Sequence, residues 1–430
     1  RCQRRILGQP QPAPAGAARH RPMPRLSPPA APVDGIHLPT RRQTLGALAL
    51  LTLLAVALRW PVSVFPELLP LDVNSQHHIL MFDGTPPKSL GSACETFRNQ
   101  VLAWPIWLLS RAAKLVWSPV GAFHVASLVW LVLQGASGWA LGHVLGWSTG
   151  RRFMVAVALQ CNALGLLFLN TGRIEHLVQP MLVLATIGML HQRHGYGTVL
   201  AALGIGLAAH SSPYQAVAGG VLVVSLGLAQ GLKHVGRALV ASALAAIPVV
   251  WTWLGEAPLP THRFIHFPIG LRELVWGPPA ALPSAADLAV PVPVGIADLT
   301  SLLPAGPVHF LGAVLVVSGL AGCVLKWREP LARGALLTFV CCTVLALGYE
   351  LRWTADSDAI VALPWAWIGR GSVLRAMLNT NRFLTGSVFA CAVGLGMVAD
   401  RRLWMALVLT GAVVAESVVL SPGAWPVPAS

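Results

Sequence analysis

The chain has 430 residues, of which 55% are hydrophobic and only 11% charged, and a mean hydropathy of +0.65. A soluble chain carries roughly 25% charged residues, so there are too few charges here to solvate a globular surface, and lipid is the expected main solvent. The net charge of +14 does not point to nucleic acid, because the basic residues sit as pairs in short loops rather than on one continuous face.

Residues 1–40 are rich in Pro, Ala and Arg and lack hydrophobic periodicity, which predicts a disordered cytoplasmic tail. The membrane domain is expected over 41–420. Its first span is 44–60, followed by a long exoplasmic loop, about 61–118. Within that loop, WPIWLLSRAAKLVW (104–117) carries three Trp, with Arg111 and Lys114 opposite its apolar side. Those features suit a helix lying in the membrane interface. Spans follow at 120–145, 152–169, 177–191, 196–209, 213–232 and 236–254. A Pro-rich exoplasmic segment, about 255–306, precedes spans at 307–325 and 333–349. A third exoplasmic segment, 350–380, precedes the last two spans, 383–399 and 402–420. Residues 421–430 are expected to form an exoplasmic end, read as truncated. The expected class is therefore all-α and polytopic, with about eleven transmembrane helices.

Charge sets the orientation. Threading the spans in order places Arg41/Arg42, Arg151/Arg152, Arg193, Lys233/Arg237, Lys326/Arg328/Arg333 and Arg401/Arg402 on one side. That side, with the tail, holds 18 Lys+Arg against 3 acids, whereas the other holds 12 against 13. By the positive-inside rule the N-terminus is cytoplasmic and the long loops are exoplasmic. Cys94 is the one cysteine in an exoplasmic loop, so no disulfide framework is expected there. No internal repeat is evident at the level of spans.

Four polar constellations fall on the exoplasmic side. In the first loop, Asp72 and Gln76 lie four residues apart, beside His77 and His78. A carboxylate there either accepts a proton from a hydroxyl or simply caps the following helix. Arg173, Glu175 and His176 lie within four residues between two spans. They form either a phosphate- or sugar-binding turn or a solvated local ion pair. His210-Ser211-Ser212-Pro213-Tyr214 is a tight turn in which Tyr214 is a candidate binding residue. Arg375, Asn379 and Arg382 precede a late span. Their outward placement escapes the positive-inside rule, and they suit either a specific anionic lipid head group or general snorkelling. No zinc spacing, phosphate loop or dinucleotide fingerprint is present.

The order of these motifs resembles the GT-C superfamily of integral-membrane glycosyltransferases, closest to the bacterial YfhO-like members and related polytopic proteins. The likeness rests on Asp72 with Gln76, Gly172 with Glu175 and His176, Ser212 with Tyr214, and Leu374-Arg375 with Asn381-Arg382-Phe383. It implies a bacterial plasma-membrane enzyme that moves a sugar from a polyprenyl-phosphate-linked donor to a glycan, lipid or protein acceptor on the exoplasmic face. By resemblance, Asp72, Glu175 and His176 would be catalytic. Gln76, His77, Arg173, Tyr214, Arg375, Asn379 and Arg382 would bind substrate. Some relatives use a divalent cation and others none; no protein metal site is assigned. Many members carry two adjacent acids in the first loop, whereas Val73 follows Asp72 here. The alternatives are a transporter or flippase of lipid-linked glycans, and a non-catalytic protein retaining the fold.

Overall fold

Capping residues at the ends of the apolar runs set where helices start and stop. The computed structural model describes residues 40–59, 109, 111–170, 177–254, 271–276, 311–354, 357–368, 380–398 and 403–420. Helix α1 spans Arg41–Leu58, and its start is a reciprocal cap between Thr40 and Gln43. Helix α2, Pro119–Val144, starts at Ser118, whose hydroxyl accepts from Gly121 N, with Pro119 at the first helical position. It ends at Gly146, which has φ of 67°. That left-handed conformation reverses the chain at little cost only for glycine.

The third apolar stretch was expected as one span. The structure instead gives two helices, α3 (Thr149–Gln160) and α4 (Ala163–Asn170). The break has a local cause. Asn162 Oδ1 accepts from Gly165 N at 2.6 Å, while its Nδ2 donates to Leu159 O at 3.0 Å. One buried amide thus starts α4 and takes up a last-turn carbonyl of α3.

The remaining stretches form α5 (Gln179–Leu190), α6 (Gly195–Ser211), α7 (Pro213–Gln230), α8 (Leu232–Leu254), α10 (Ala313–Leu325), α11 (Pro330–Ala346), α13 (Leu384–Val398) and α14 (Leu403–Leu420). Between them lie α9 (Leu271–Trp276), a two-stranded antiparallel hairpin of β1 (Glu350–Leu351) and β2 (Val361–Ala362), α12 (Trp365–Ile368), and a 3₁₀ turn, Thr380–Phe383. Among the described residues the fold is therefore mostly helical, with two very short strands. Three helical runs among the described residues, Arg41–Leu58, Gly121–Val144 and Thr380–Val398, are long and apolar enough to cross a membrane. Others, such as Gln179–Leu190 and Ala313–Leu325, are apolar but shorter. The span expected from 307 begins as a helix only at Ala313, after Gly312 with φ of 93°. Its first-turn amide at Val314, which has no partner within the helix, is met by both carboxylate oxygens of Glu416, at 3.1 and 3.0 Å. An acid from α14 thus caps the positive end of α10.

Helix α13 is the centre of the bundle. Every residue from Leu384 to Met397 is buried, as expected of a helix apolar on all sides. Helix α1 lies at the periphery and buries only the stripe Ala47, Leu51, Ala55 and Leu58. Within 104–117, residues 111–113 are helical, and Leu115, Val116 and Trp117 are exposed beyond them.

Several of the paired arginines have a second role. Arg152 Nε donates to Trp147 O, Arg237 Nη1 to Gln192 O, Arg333 Nη2 to Ala229 O and Arg151 Nε to Gly396 O. Ala229 O and Gly396 O lie in the last turns of α7 and α13, where helices lack partners and carry partial negative charge, whereas Gln192 O lies just beyond α5 and Trp147 O in the turn that leads into α3. Replacing Arg333 with alanine is expected to cost about 1–2 kcal/mol, read as a lower thermal unfolding midpoint in detergent. Arg333→Lys should recover part of the loss.

Candidate functional site

The 3₁₀ turn Thr380–Phe383 leads directly into the central helix α13, so its side chains are placed by the best-packed element of the bundle. Two contacts pin it. Thr380 Oγ1 donates to Ala346 O, the last residue of α11, at 3.1 Å. Gln215, in the first turn of α7, donates from Nε2 to Arg382 O and to Thr385 Oγ1, each at 3.3 Å. Pro213 fixes the start of α7 and so places Tyr214 and Gln215 against the turn.

The result is a small aromatic and cationic cluster. The Arg382 guanidinium lies over the Tyr214 ring, with its central carbon 5.0 Å from the ring centroid. Phe383 meets Tyr214 and Trp365 edge-on, each with centroids 5.5 Å apart. Tyr214, Trp365, Asn381 and Phe383 are buried, and Arg382 is half-buried. Among the described residues no hydrogen-bond partner meets Arg382 Nε, Asn381 Oδ1 or Trp365 Nε1. A buried polar atom left unmatched costs about 1–3 kcal/mol, so the cluster offers donors and an acceptor to a polar group. A guanidinium stacked on one face keeps its in-plane N–H groups for a phosphate or carboxylate.

The loop segments near this cluster are joined to one another. Leu271 N and Arg272 N, at the start of α9, donate to Arg352 O and Trp353 O at 3.0 Å each. Arg352 also pairs with Glu350 at 2.6 Å. Leu363 N donates to Tyr349 O at 2.8 Å, closing the hairpin just before Trp365.

Of the residues singled out from the sequence, Tyr214 and Arg382 are brought into direct contact. Asp72, Gln76, His77, Arg173, Glu175, His176, Arg375 and Asn379 lie outside the described residues. Four members were not proposed as site residues: Gln215, Asn381, Phe383 and Trp365. Gln215 had a readable signal, an amide immediately after Tyr214 at the head of an apolar run. Trp365 had none, since its place depends on the hairpin. Among the described residues no group of three or more His, Cys, Asp or Glu is arranged to hold a metal ion. The described cysteines Cys161, Cys323, Cys341, Cys342 and Cys391 are free thiols. Comparison of the chain with family models, curated proteins and solved structures finds no match.

Proposed function

We propose that the chain is a membrane glycosyltransferase of the GT-C type, with about eleven spans, a cytoplasmic N-terminus and a site on the exoplasmic face. The observation that carries this reading is the Arg382 guanidinium stacked on Tyr214 beside the unmatched Asn381 and Trp365 atoms. A stacked arginine at the head of the central helix suits the phosphate of a polyprenyl-phosphate-linked donor, whose leaving charge must be stabilised as the sugar departs. Asp72, with Glu175 and His176, would take the proton of the acceptor hydroxyl. Gln76, His77, Arg173, Arg375 and Asn379 would complete donor and acceptor binding.

The eleven helical stretches support the span count, although several are short. Helix α5, with 12 residues, rises only about 18 Å, less than the roughly 30 Å hydrocarbon core. It would cross together with its flanking chain. The arginines donating to Trp147 O, Gln192 O, Ala229 O and Gly396 O, at or near one end of α3, α5, α7 and α13, support a shared cytoplasmic side for those ends. The plasma membrane of a bacterium is the proposed location.

The test is transfer of labelled sugar from a polyprenyl-phosphate donor by protein in vesicles. Arg382→Ala should lower transfer about 30-fold, about 2 kcal/mol. Arg382→Lys should recover only part, because it lacks the planar fork, whereas Tyr214→Phe keeps the stack and most of the activity. Transfer unchanged in Arg382→Ala would contradict the assignment.

A transporter or flippase of lipid-linked glycans is the second reading. Two observations favour it. Stretch three is a discontinuous helix broken at Cys161–Asn162, a feature of transporters. Arg59 Nη2 and His124 Nδ1 meet at 3.3 Å, and both residues are buried.

A further inference from the structure

Helices α1 and α14 flank α3 and leave a groove of about 310 Å³ between them. Gly46, Leu50, Trp139, Phe153 and Leu407 are among its walls, and its exposed lining is almost entirely apolar. Trp139 is buried and forms the floor, whereas Leu50 and Leu407 are more than half exposed at the rims. One end is chemically different. There the lining includes Gln43 and Thr149, from the first turns of α1 and α3. Neither first turn contains an acidic residue. Arg41 and Arg42, next to Gln43, are both exposed. Arg151 keeps its charge but is held by Gly396 O and the Trp147 ring, so among the described residues Arg41 and Arg42 are the exposed cations in the same helical turn as Gln43.

We infer that this groove binds one acyl chain of an anionic phospholipid, with the lipid phosphate held by Arg41 and Arg42. An apolar trough between helices excludes a hydrophilic ligand. Two exposed guanidinium groups in the first turn of α1, the turn that brings Gln43 to the groove, with no acid in the first turn of α1 or α3, favour an anionic head group over a zwitterionic one. The inference rests on the chain being a membrane protein but not on its being a transferase. Its test therefore reads lipid content rather than sugar transfer.

Gly46 supplies a clean variant. A Cβ placed there meets nothing within 4 Å, so Gly46→Leu enters the trough without a backbone clash, and leucine is the better helix former. The protein is reconstituted in vesicles of equal phosphatidylglycerol and phosphatidylcholine and extracted in mild detergent. Retained lipid is then counted by native mass spectrometry. The wild type should retain phosphatidylglycerol in preference to phosphatidylcholine by about fivefold per arginine, about 25-fold in all. Arg41→Gln with Arg42→Gln should bring the ratio close to one. Gly46→Leu should lower retention of both lipids while leaving the thermal midpoint at or above that of the wild type. Arg382→Ala should change neither. Equal retention of the two lipids by the wild type, or undiminished retention by Gly46→Leu, overturns the inference. Displacement of phosphatidylglycerol by added polyprenyl phosphate would assign the groove to the carrier lipid instead, and would overturn it equally.

Discussion

Asp72→Ala is expected to lower sugar transfer by about 10²–10⁴-fold, the usual contribution of a positioned general base, while the protein still inserts and folds. The size of that effect separates the two roles open to this residue. If Asp72 only caps the helix that follows it, alanine costs about 1 kcal/mol of stability and leaves the rate per folded molecule unchanged. If Asp72 accepts the acceptor proton, the loss appears in turnover and exceeds about 2.7 kcal/mol in the barrier. Asp72→Asn should behave like alanine, since it keeps the cap but not the base. Thermal unfolding and transfer measured on the same preparations distinguish the outcomes, and unchanged transfer in Asp72→Asn would remove Asp72 from the chemistry.

Gly322→Val is expected to disrupt the bundle and, through it, the site. At Gly322 on α10 an added Cβ would lie closer to Gly394 O of α13 than any real contact, and Gly394 in turn faces Gly319 O. The two backbones therefore touch through small residues, as in many membrane helix pairs. Valine must drive the helices apart, at a cost of about 3 kcal/mol, the upper range for overpacking. Helix α13 begins with the turn that carries Arg382, so its displacement also shifts the guanidinium from Tyr214. Both the unfolding midpoint and transfer should fall. Gly411→Ala on α14, where an added Cβ meets nothing within 4 Å, is the matched control. It should be neutral or stabilising by up to about 1 kcal/mol. A Gly322→Val protein as stable as the wild type would contradict this account of the α10–α13 contact.

Hydropathy and punctuation made most of the helical architecture legible. Each apolar stretch is helical, and starts such as Thr40, Ser118 and Pro213 coincide with the residues that cap or initiate helices. The break within the third stretch was not legible, because a single Asn in an apolar run reads as a tolerated polar residue. Only its hydrogen bonds to Leu159 O and Gly165 N reveal that it replaces backbone bonds. Glu416 was hidden for a similar reason. An acid near the end of an apolar run looks like a loop residue until its contact with Val314 N on another helix is known. In the sequence the paired arginines read only as a charge bias; their donation to carbonyls of other segments, as from Arg333 to Ala229 O, is tertiary and has no signature in spacing.

The candidate site was legible in part. The outward Arg382 stood out because positive charge on the proposed exoplasmic side lacks a topological reason, and Tyr214 stood out beside a helix-starting proline. Their contact across 168 positions of sequence could not be anticipated, nor could the place of Trp365, which depends on a hairpin whose strands have two residues each.

The most direct test of the proposed activity uses purified protein in sealed vesicles, with polyprenyl-phosphate hexoses labelled in the sugar and a cell-envelope glycan extract as acceptor. A glycosyltransferase predicts labelled glycan and free polyprenyl phosphate on the exoplasmic side, both lost in Asp72→Ala and Arg382→Ala. Labelled lipid-linked sugar that crosses the bilayer intact, with no polyprenyl phosphate released, would contradict the account and establish the flippase reading in its place.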